Sequence, residues 1–131
     1  MTQAKRQLTK RQLAKRQRAW RFGRMAEMVC AASLRLKGYR ILASRYRNPF
    51  GEIDLIARRG KVVCFIEVKA RGNLADAAEA VGLRQRRRVA RAAESYLASR
   101  ADLATSDVRF DVMLVCPWDL PRHLPDAWRP D

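Results

Sequence analysis

Two alternating segments around Arg59-Gly60 give the strongest pattern in the chain. Glu52–Arg58 and Lys61–Ala70 are predicted to form a β-hairpin with that dipeptide at the turn, so that Glu52 faces Glu67 and Asp54 faces Phe65. One face then carries Ile53, Leu55, Ala57, Val62, Cys64, Ile66 and Val68, all apolar. The other carries Glu52, Asp54, Ile56, Val63, Phe65, Glu67 and Lys69. A one-residue slip would mix the two sets, which supports their assignment to opposite faces.

Other segments follow helical or strand periods. A helix is predicted from Ala19 to Lys37, with Met25, Val29, Ala32 and Leu36 at core spacing. Arg35 and Lys37 suit its negative C-terminal end, and Gly38 suits the left-handed position beyond it. A strand is predicted at Tyr39–Tyr46, and Asn48-Pro49-Phe50-Gly51 reads as a turn. Asn73 to Ala78 is a connection, followed by a helix from Glu79 to Arg100 with Val81, Val89, Ala92, Ala93, Tyr96 and Leu97 as its core side. A last strand is predicted at Val108–Cys116. Pro117, Pro121, Pro125 and Pro130 predict an irregular tail, with Trp118 and Trp128 as packing anchors. The order α-β-β-β-α-β defines an α/β fold, a mixed β-sheet flanked by helices.

Composition places this fold in context. The chain has 131 residues, 48% of them hydrophobic, which fits one domain with a real core. No apolar stretch reaches the length of a membrane span, and no apolar block with a cleavage site marks a secretory signal. Cys30, Cys64 and Cys116 lie in apolar segments without a C-x-x-C pair, so free buried thiols in a reducing cytoplasm are expected. His123 is the only histidine, which argues against a zinc site.

The net charge of +15 points to a polyanion, with nucleic acid the first candidate and no membrane partner expected. Residues 1–24 hold nine Lys/Arg and no acidic residue; the other nineteen stand against all thirteen Asp/Glu. Lys5-Arg6-Gln7-Leu8, Lys10-Arg11-Gln12-Leu13 and Lys15-Arg16-Gln17-Arg18 form a five-residue repeat, which advances about 140° per step on a helix. Leu8 and Leu13 therefore make no stripe. Residues 1–22 are expected to be a basic arm, disordered or a solvated helix, ahead of a single domain at 23–131. Lys10, Arg11, Lys15 and Arg16 become phosphate-tracking candidates; a dispensable solubilising extension is the alternative. Arg84, Arg86, Arg87, Arg88 and Arg91 make the second helix basic, either as a solvated face or as a backbone-binding patch.

Candidate chemistry sits on one face of the hairpin. Asp54 is expected diagonal to Glu67, roughly 7–8 Å between backbones, so their side chains can converge. Neighbouring carboxylates repel unless one takes a proton or a cation intervenes. Oxygen donors suit Mg²⁺ or Mn²⁺. Lys69 could orient a water or stabilise charge on phosphorus. A solvated face with ordinary Glu–Lys pairs is the plain alternative. Glu27 is the only charge between Met25 and Leu34, and marks either a wet strip or a site. Gln85 is a candidate for a phosphate or site water, or a plain surface residue. Asp111 is expected to be structural, paired with Arg109 or Arg71.

Gly51-Glu52-Ile53-Asp54-Leu55-Ile56-Ala57 followed by Phe65-Ile66-Glu67-Val68-Lys69-Ala70-Arg71 resembles the YraN family of uncharacterised bacterial proteins. That family is similar to restriction-endonuclease-like PD-(D/E)xK nucleases, especially Holliday-junction resolvases. Gly23-Arg24-Met25-Ala26-Glu27, Lys37-Gly38-Tyr39-Arg40-Ile41-Leu42 and Arg109-Phe110-Asp111-Val112 also match, so the resemblance runs from Gly23 to Val115. It implies a restriction-endonuclease-like fold, Asp54 and Glu67 as Mg²⁺ (or Mn²⁺) ligands joined by Glu27, and Lys69 as the catalytic lysine. Glu52 and Gln85 would be supporting groups. Family members usually carry Lys where Arg84 stands, and the basic arm is longer than the resemblance leads one to expect. Resolvase-like relatives work as dimers, so a homodimer is implied. The expected function is a metal-dependent nuclease acting on DNA, in preference to RNA, with branched or processed structures as substrates. The rivals are a non-catalytic DNA- or RNA-binding module on the same fold and a ribosome-associated factor.

Overall fold

The computed structural model describes residues 9–70, 81–116 and 118–130, with the side chains of 17–22 outside that description. Helix α1 spans Lys10–Leu36, strand β1 Arg40–Asn48, β2 Gly51–Arg59, β3 Val62–Lys69, helix α2 Leu83–Ala98, β4 Asp107–Leu114 and β5 Arg122–Trp128; a 3₁₀ turn at Ala101–Leu103 precedes β4. The strands lie in the order β1-β2-β3-β4-β5, with β3 and β4 parallel and the other pairs antiparallel. This mixed sheet with helices is an α/β fold compatible with the restriction-endonuclease-like architecture.

Helix α1 begins nine residues before the predicted Ala19. Thr9 and Gln12 form a capping box: the Thr9 hydroxyl accepts from the Gln12 amide at 3.2 Å, and the Gln12 side chain accepts from the Thr9 amide at 3.0 Å. Lys10 to Arg16 follow as exposed helix, the solvated alternative for that part of the arm. The buried face is also not the predicted one. Met25, Val29, Ala32 and Leu36 are exposed, whereas Ala26, Cys30, Ala31 and Leu34 are buried. Both stripes have helical spacing; the face of mostly small side chains is the one that packs on the sheet. At the far end Gly38 takes the left-handed conformation, as expected.

The hairpin forms with its register moved two residues along. Leu55 pairs with Ile66 and Arg59 with Val62, because the turn is Gly60-Lys61, with Gly60 at φ +59°. A shift of two preserves the faces. Leu55, Ala57, Cys64 and Ile66 pack with Ala26, Cys30 and Leu34 of α1. Ile56, Val63 and Phe65 pack with Val89, Ala92, Ala93 and Tyr96 of α2. Ile53 is the exception: it joins the α2 side, so the alternation breaks between Ile53 and Leu55, at Asp54.

The core residues predicted for the second helix are buried: Val89, Ala92, Ala93 and Tyr96 on α2, with Leu97 packed beside them, and Val81 just ahead of it. The helix starts at Leu83, not at the predicted Glu79: Val81 and Gly82 are not helical, and Gly82, extended, caps it. The Asn73–Ala78 connection and Arg71 lie outside the described residues. The tail, predicted to be irregular, supplies β5. Pro125 is tolerated because β5 is an edge strand. Trp128 is buried and stacks on Phe110 at 4.3 Å, but Trp118 is exposed. Cys30 and Cys64 are buried free thiols, and Cys116 is a half-buried one.

Candidate active site

The site forms where β2 and β3 part. Their last regular pair is Leu55 with Ile66, and just beyond it the Val68 amide donates to Asp54 Oδ2 at 2.8 Å. Asp54 thus sits at the gap between the strands, where the charge of Glu67 acts on its carboxyl. It lies beside Glu67 itself, rather than diagonal to it as the predicted register required.

Each partner comes from a different layer. Glu67 Oε1 accepts from Gln85 Nε2 of α2 at 2.9 Å and lies 3.4 Å from Lys69 Nζ. Glu67 and Lys69 stand two apart on β3, so the strand's period puts both on one face. On the α1 side, Glu27 acts on Asp54 through its charge. Its carboxylate is held by Arg45 Nε at 2.7 Å. Arg45 takes φ +51°, a rare conformation for a side-chain-bearing residue.

The electrostatics are unbalanced. Burial, then the charge of Glu67, pushes the Asp54 carboxyl up to about 7; the Val68 amide opposes this and Glu27 adds to it. Beneath it, burial followed by the charges of Asp54 and Glu27 pushes the Cys30 thiol up to about 12, so that cysteine is no nucleophile. Two crowded carboxylates, one retaining its proton near neutrality, form a donor set that a hard divalent cation would suit. Among the described residues no three His, Cys, Asp or Glu side chains form one cluster. The fit is therefore a two-carboxylate site, with water completing the shell as Mg²⁺ commonly allows. Glu27 is not gathered into it, because Arg45 takes its carboxylate.

The remaining candidates divide. Glu52 is exposed and 3.4 Å from Arg47, on the wall of a groove that also holds Gln85. Arg84, Arg87, Arg88 and Arg91 are exposed along α2 and line a cavity of about 590 Å³. Arg86 points elsewhere: its Nε donates to the Val81 carbonyl at 2.7 Å, and its guanidinium lies 5.8 Å from the Trp128 ring centre. Lys10, Arg11, Lys15 and Arg16 are exposed on the first turns of α1. Arg45 was missed by sequence reasoning, and a basic residue within a strand gave little signal for it.

Asp111 forms a second carboxylate centre, structural as expected. It is fully buried and receives Arg109 through Nε and Nη2, both at 2.8 Å, His123 Nε2 at 2.7 Å and the Asp126 amide at 2.9 Å. Burial alone would raise it, but His123, Arg109 and the amide hold it below the usual carboxylate range.

The description "Uncharacterised protein family UPF0102" belongs to the family model that matches residues 26–115. UPF0102 protein amb4503 of Paramagnetospirillum magneticum is 52% identical over 117 residues, covering 86% of this chain and 91% of that protein. UPF0102 protein mlr4633 of Mesorhizobium japonicum is 50% identical over 111 residues, 85% and 89% of the two chains. UPF0102 protein bll0669 of Bradyrhizobium diazoefficiens is 53% identical over 106 residues, 81% and 80%. The matched span contains the hairpin, Glu27, Gln85 and the arginines of α2, and this chain belongs to the UPF0102 family, the YraN family its hairpin resembles.

Proposed function

We propose that this protein is a metal-dependent nuclease acting on DNA phosphodiesters, with branched or processed DNA as its substrate class. The observation that carries the reading is Asp54, pushed up to about 7 beside Glu67, with Lys69 adjacent. Such a pair is costly for a fold to keep unless it serves a ligand.

Asp54 and Glu67 would hold Mg²⁺ or Mn²⁺. When bound, such an ion polarises a phosphodiester oxygen and lowers the pKa of an attacking water. Gln85 fixes the Glu67 carboxylate from α2. Lys69, beside Glu67, offers its ammonium to charge developing on phosphorus or to the attacking water. The Val68 amide keeps Asp54 directed at Glu67. Glu27 stays in reserve behind Arg45. The α2 arginines and the basic first turns of α1 would hold phosphates, giving salt-sensitive, largely sequence-independent binding. Cutting two strands of a branched substrate calls for two such sites, hence a homodimer, and the free thiols suit the cytoplasm.

A non-catalytic nucleic-acid-binding module is the second reading, favoured by Arg45's hold on Glu27. Titrating full-length protein with Mg²⁺ or Mn²⁺ on plasmid, single-stranded, branched and RNA substrates separates the two. Metal-dependent cleavage that Glu67→Ala and Lys69→Ala abolish is expected. Identical behaviour of wild type and both variants on every substrate would sink the nuclease reading.

A further inference from the structure

The turn between β1 and β2 has a role that the site does not explain. Phe50, at its tip, is half exposed. A surface phenylalanine on a loose loop would mean little, but this turn is built and anchored. Asn48 Oδ1 accepts from the Phe50 amide at 2.9 Å and the Gly51 amide at 3.3 Å, while Asn48 Nδ2 donates to the Ala92 carbonyl of α2 at 3.2 Å. Gly51 lets the turn approach the helix: a β-carbon there would stand 3.2 Å from the Arg88 carbonyl oxygen. The ring's base is thereby fixed against α2.

Its setting is specific. Phe50 and Pro49 line one groove with Arg84, Arg87, Arg88 and Arg91. Arg84 and Arg88 also line the adjoining groove, which contains Gln85, the residue bonded to Glu67. The two grooves thus share Arg84 and Arg88, and the second ends at Gln85, the neighbour of Glu67. An exposed ring beside guanidinium groups is what a single-stranded nucleic acid needs: a stacking surface for a base and cations for its backbone. A rigid duplex has no unstacked base to offer.

We propose that Phe50 is a base-stacking platform and that the groove it shares with the α2 arginines takes a single-stranded segment of nucleic acid, leading it toward Asp54 and Glu67. This rests on the nucleic-acid reading above and narrows the substrate class to molecules with an unpaired stretch, such as splayed arms or flaps. Phe50 supplies the preference for unpaired bases; the arginines supply sequence-independent affinity.

The test uses full-length protein in EDTA, so that binding is read without cleavage. Single-stranded, splayed-arm and blunt duplex oligonucleotides of equal length carry 2-aminopurine, whose emission falls on stacking. Phe50→Ala is expected to weaken single-strand and splayed-arm binding about tenfold and abolish the quench. Phe50→Trp should keep both, and duplex binding should be unchanged in either variant. Arg84→Ala/Arg88→Ala should weaken all three substrates. Unchanged single-strand binding by Phe50→Ala, or an equal loss on duplex, would overturn the platform; so would a wild type that binds none of the three, which would overturn the nucleic-acid reading with it. Metal-dependent cleavage that survives Phe50→Ala together with unchanged binding removes only the platform. Selective loss of the quench without any metal-dependent cleavage in wild type keeps the platform and removes the nuclease.

Discussion

One sheet carries two carboxylate centres with opposite electrostatics. Asp111 on β4 is fully buried, yet four donated hydrogen bonds surround it and hold its acid strength high. Asp54 on β2 is half-buried; burial, then the charge of Glu67, pushes its carboxyl up to about 7 against the single opposing Val68 amide. Burial raises both; the difference is that donors and a cation outweigh it at Asp111 and not at Asp54. A carboxylate whose donors all come from the fold is part of the scaffold. A pair left short of positive charge, with one lysine 3.4 Å from Glu67, has capacity left for a ligand.

The sharpest way to break this contrast is to remove both centres in turn. Glu67→Gln and Lys69→Ala should each lower metal-dependent cleavage by at least about a thousandfold while leaving the melting temperature within a few degrees of wild type. Asp111→Ala should do the reverse in kind, lowering stability by about 3–5 kcal/mol because Arg109 loses its buried partner. Chemical denaturation reads that loss. If Glu67→Gln unfolds the protein and Asp111→Ala does not, the two assignments are exchanged.

A smaller effect follows from pH. Asp54 holds its proton more tightly in the fold than in the unfolded chain, where a carboxyl ionises near 3.8. Its contribution to stability is complete below that value and is lost as pH rises through about 7. Asp54→Asn should therefore raise the melting temperature at pH 8 by a few degrees, with the gain shrinking toward pH 4. Scanning calorimetry across that range is the check, and a gain that grows toward low pH would contradict the sign. The smallest expected effect is on the groove: Arg84→Ala/Arg88→Ala should reduce the slope of log affinity against log salt by about 1.4–1.8 while wild-type cleavage chemistry persists at saturation.

Much of this was legible in the sequence because strand alternation is a strong signal. A two-residue error in register left every hairpin face but that of Ile53 intact and still brought Asp54 to Glu67, since a period of two forgives an even shift. Other features were hidden for definable reasons. Helix α1 offered two apolar stripes, and the larger side chains drew attention although Ala26, Cys30 and Ala31 sit on the face that packs. Its start rests on the Thr9–Gln12 capping box, which carries no hydrophobic period. Strand β5 was masked by prolines that an edge position permits. Arg45's hold on Glu27 joins residues 18 apart, and the anchored Phe50 turn rests on a contact between Asn48 and Ala92, 44 residues apart; neither is a sequence pattern.

Asp54 and Glu67 crowd two carboxyls together, and a divalent cation would supply the charge they lack. Calorimetric titration of the full-length protein with Mn²⁺ at pH 6, 7 and 8, in buffers of different ionisation heat, tests it most directly. One ion per chain is expected, with affinity rising through pH 7, proton release on binding, and loss of the signal in both Asp54→Asn and Glu67→Gln. Binding that ignores pH and survives both substitutions, or no binding at any pH, would contradict it.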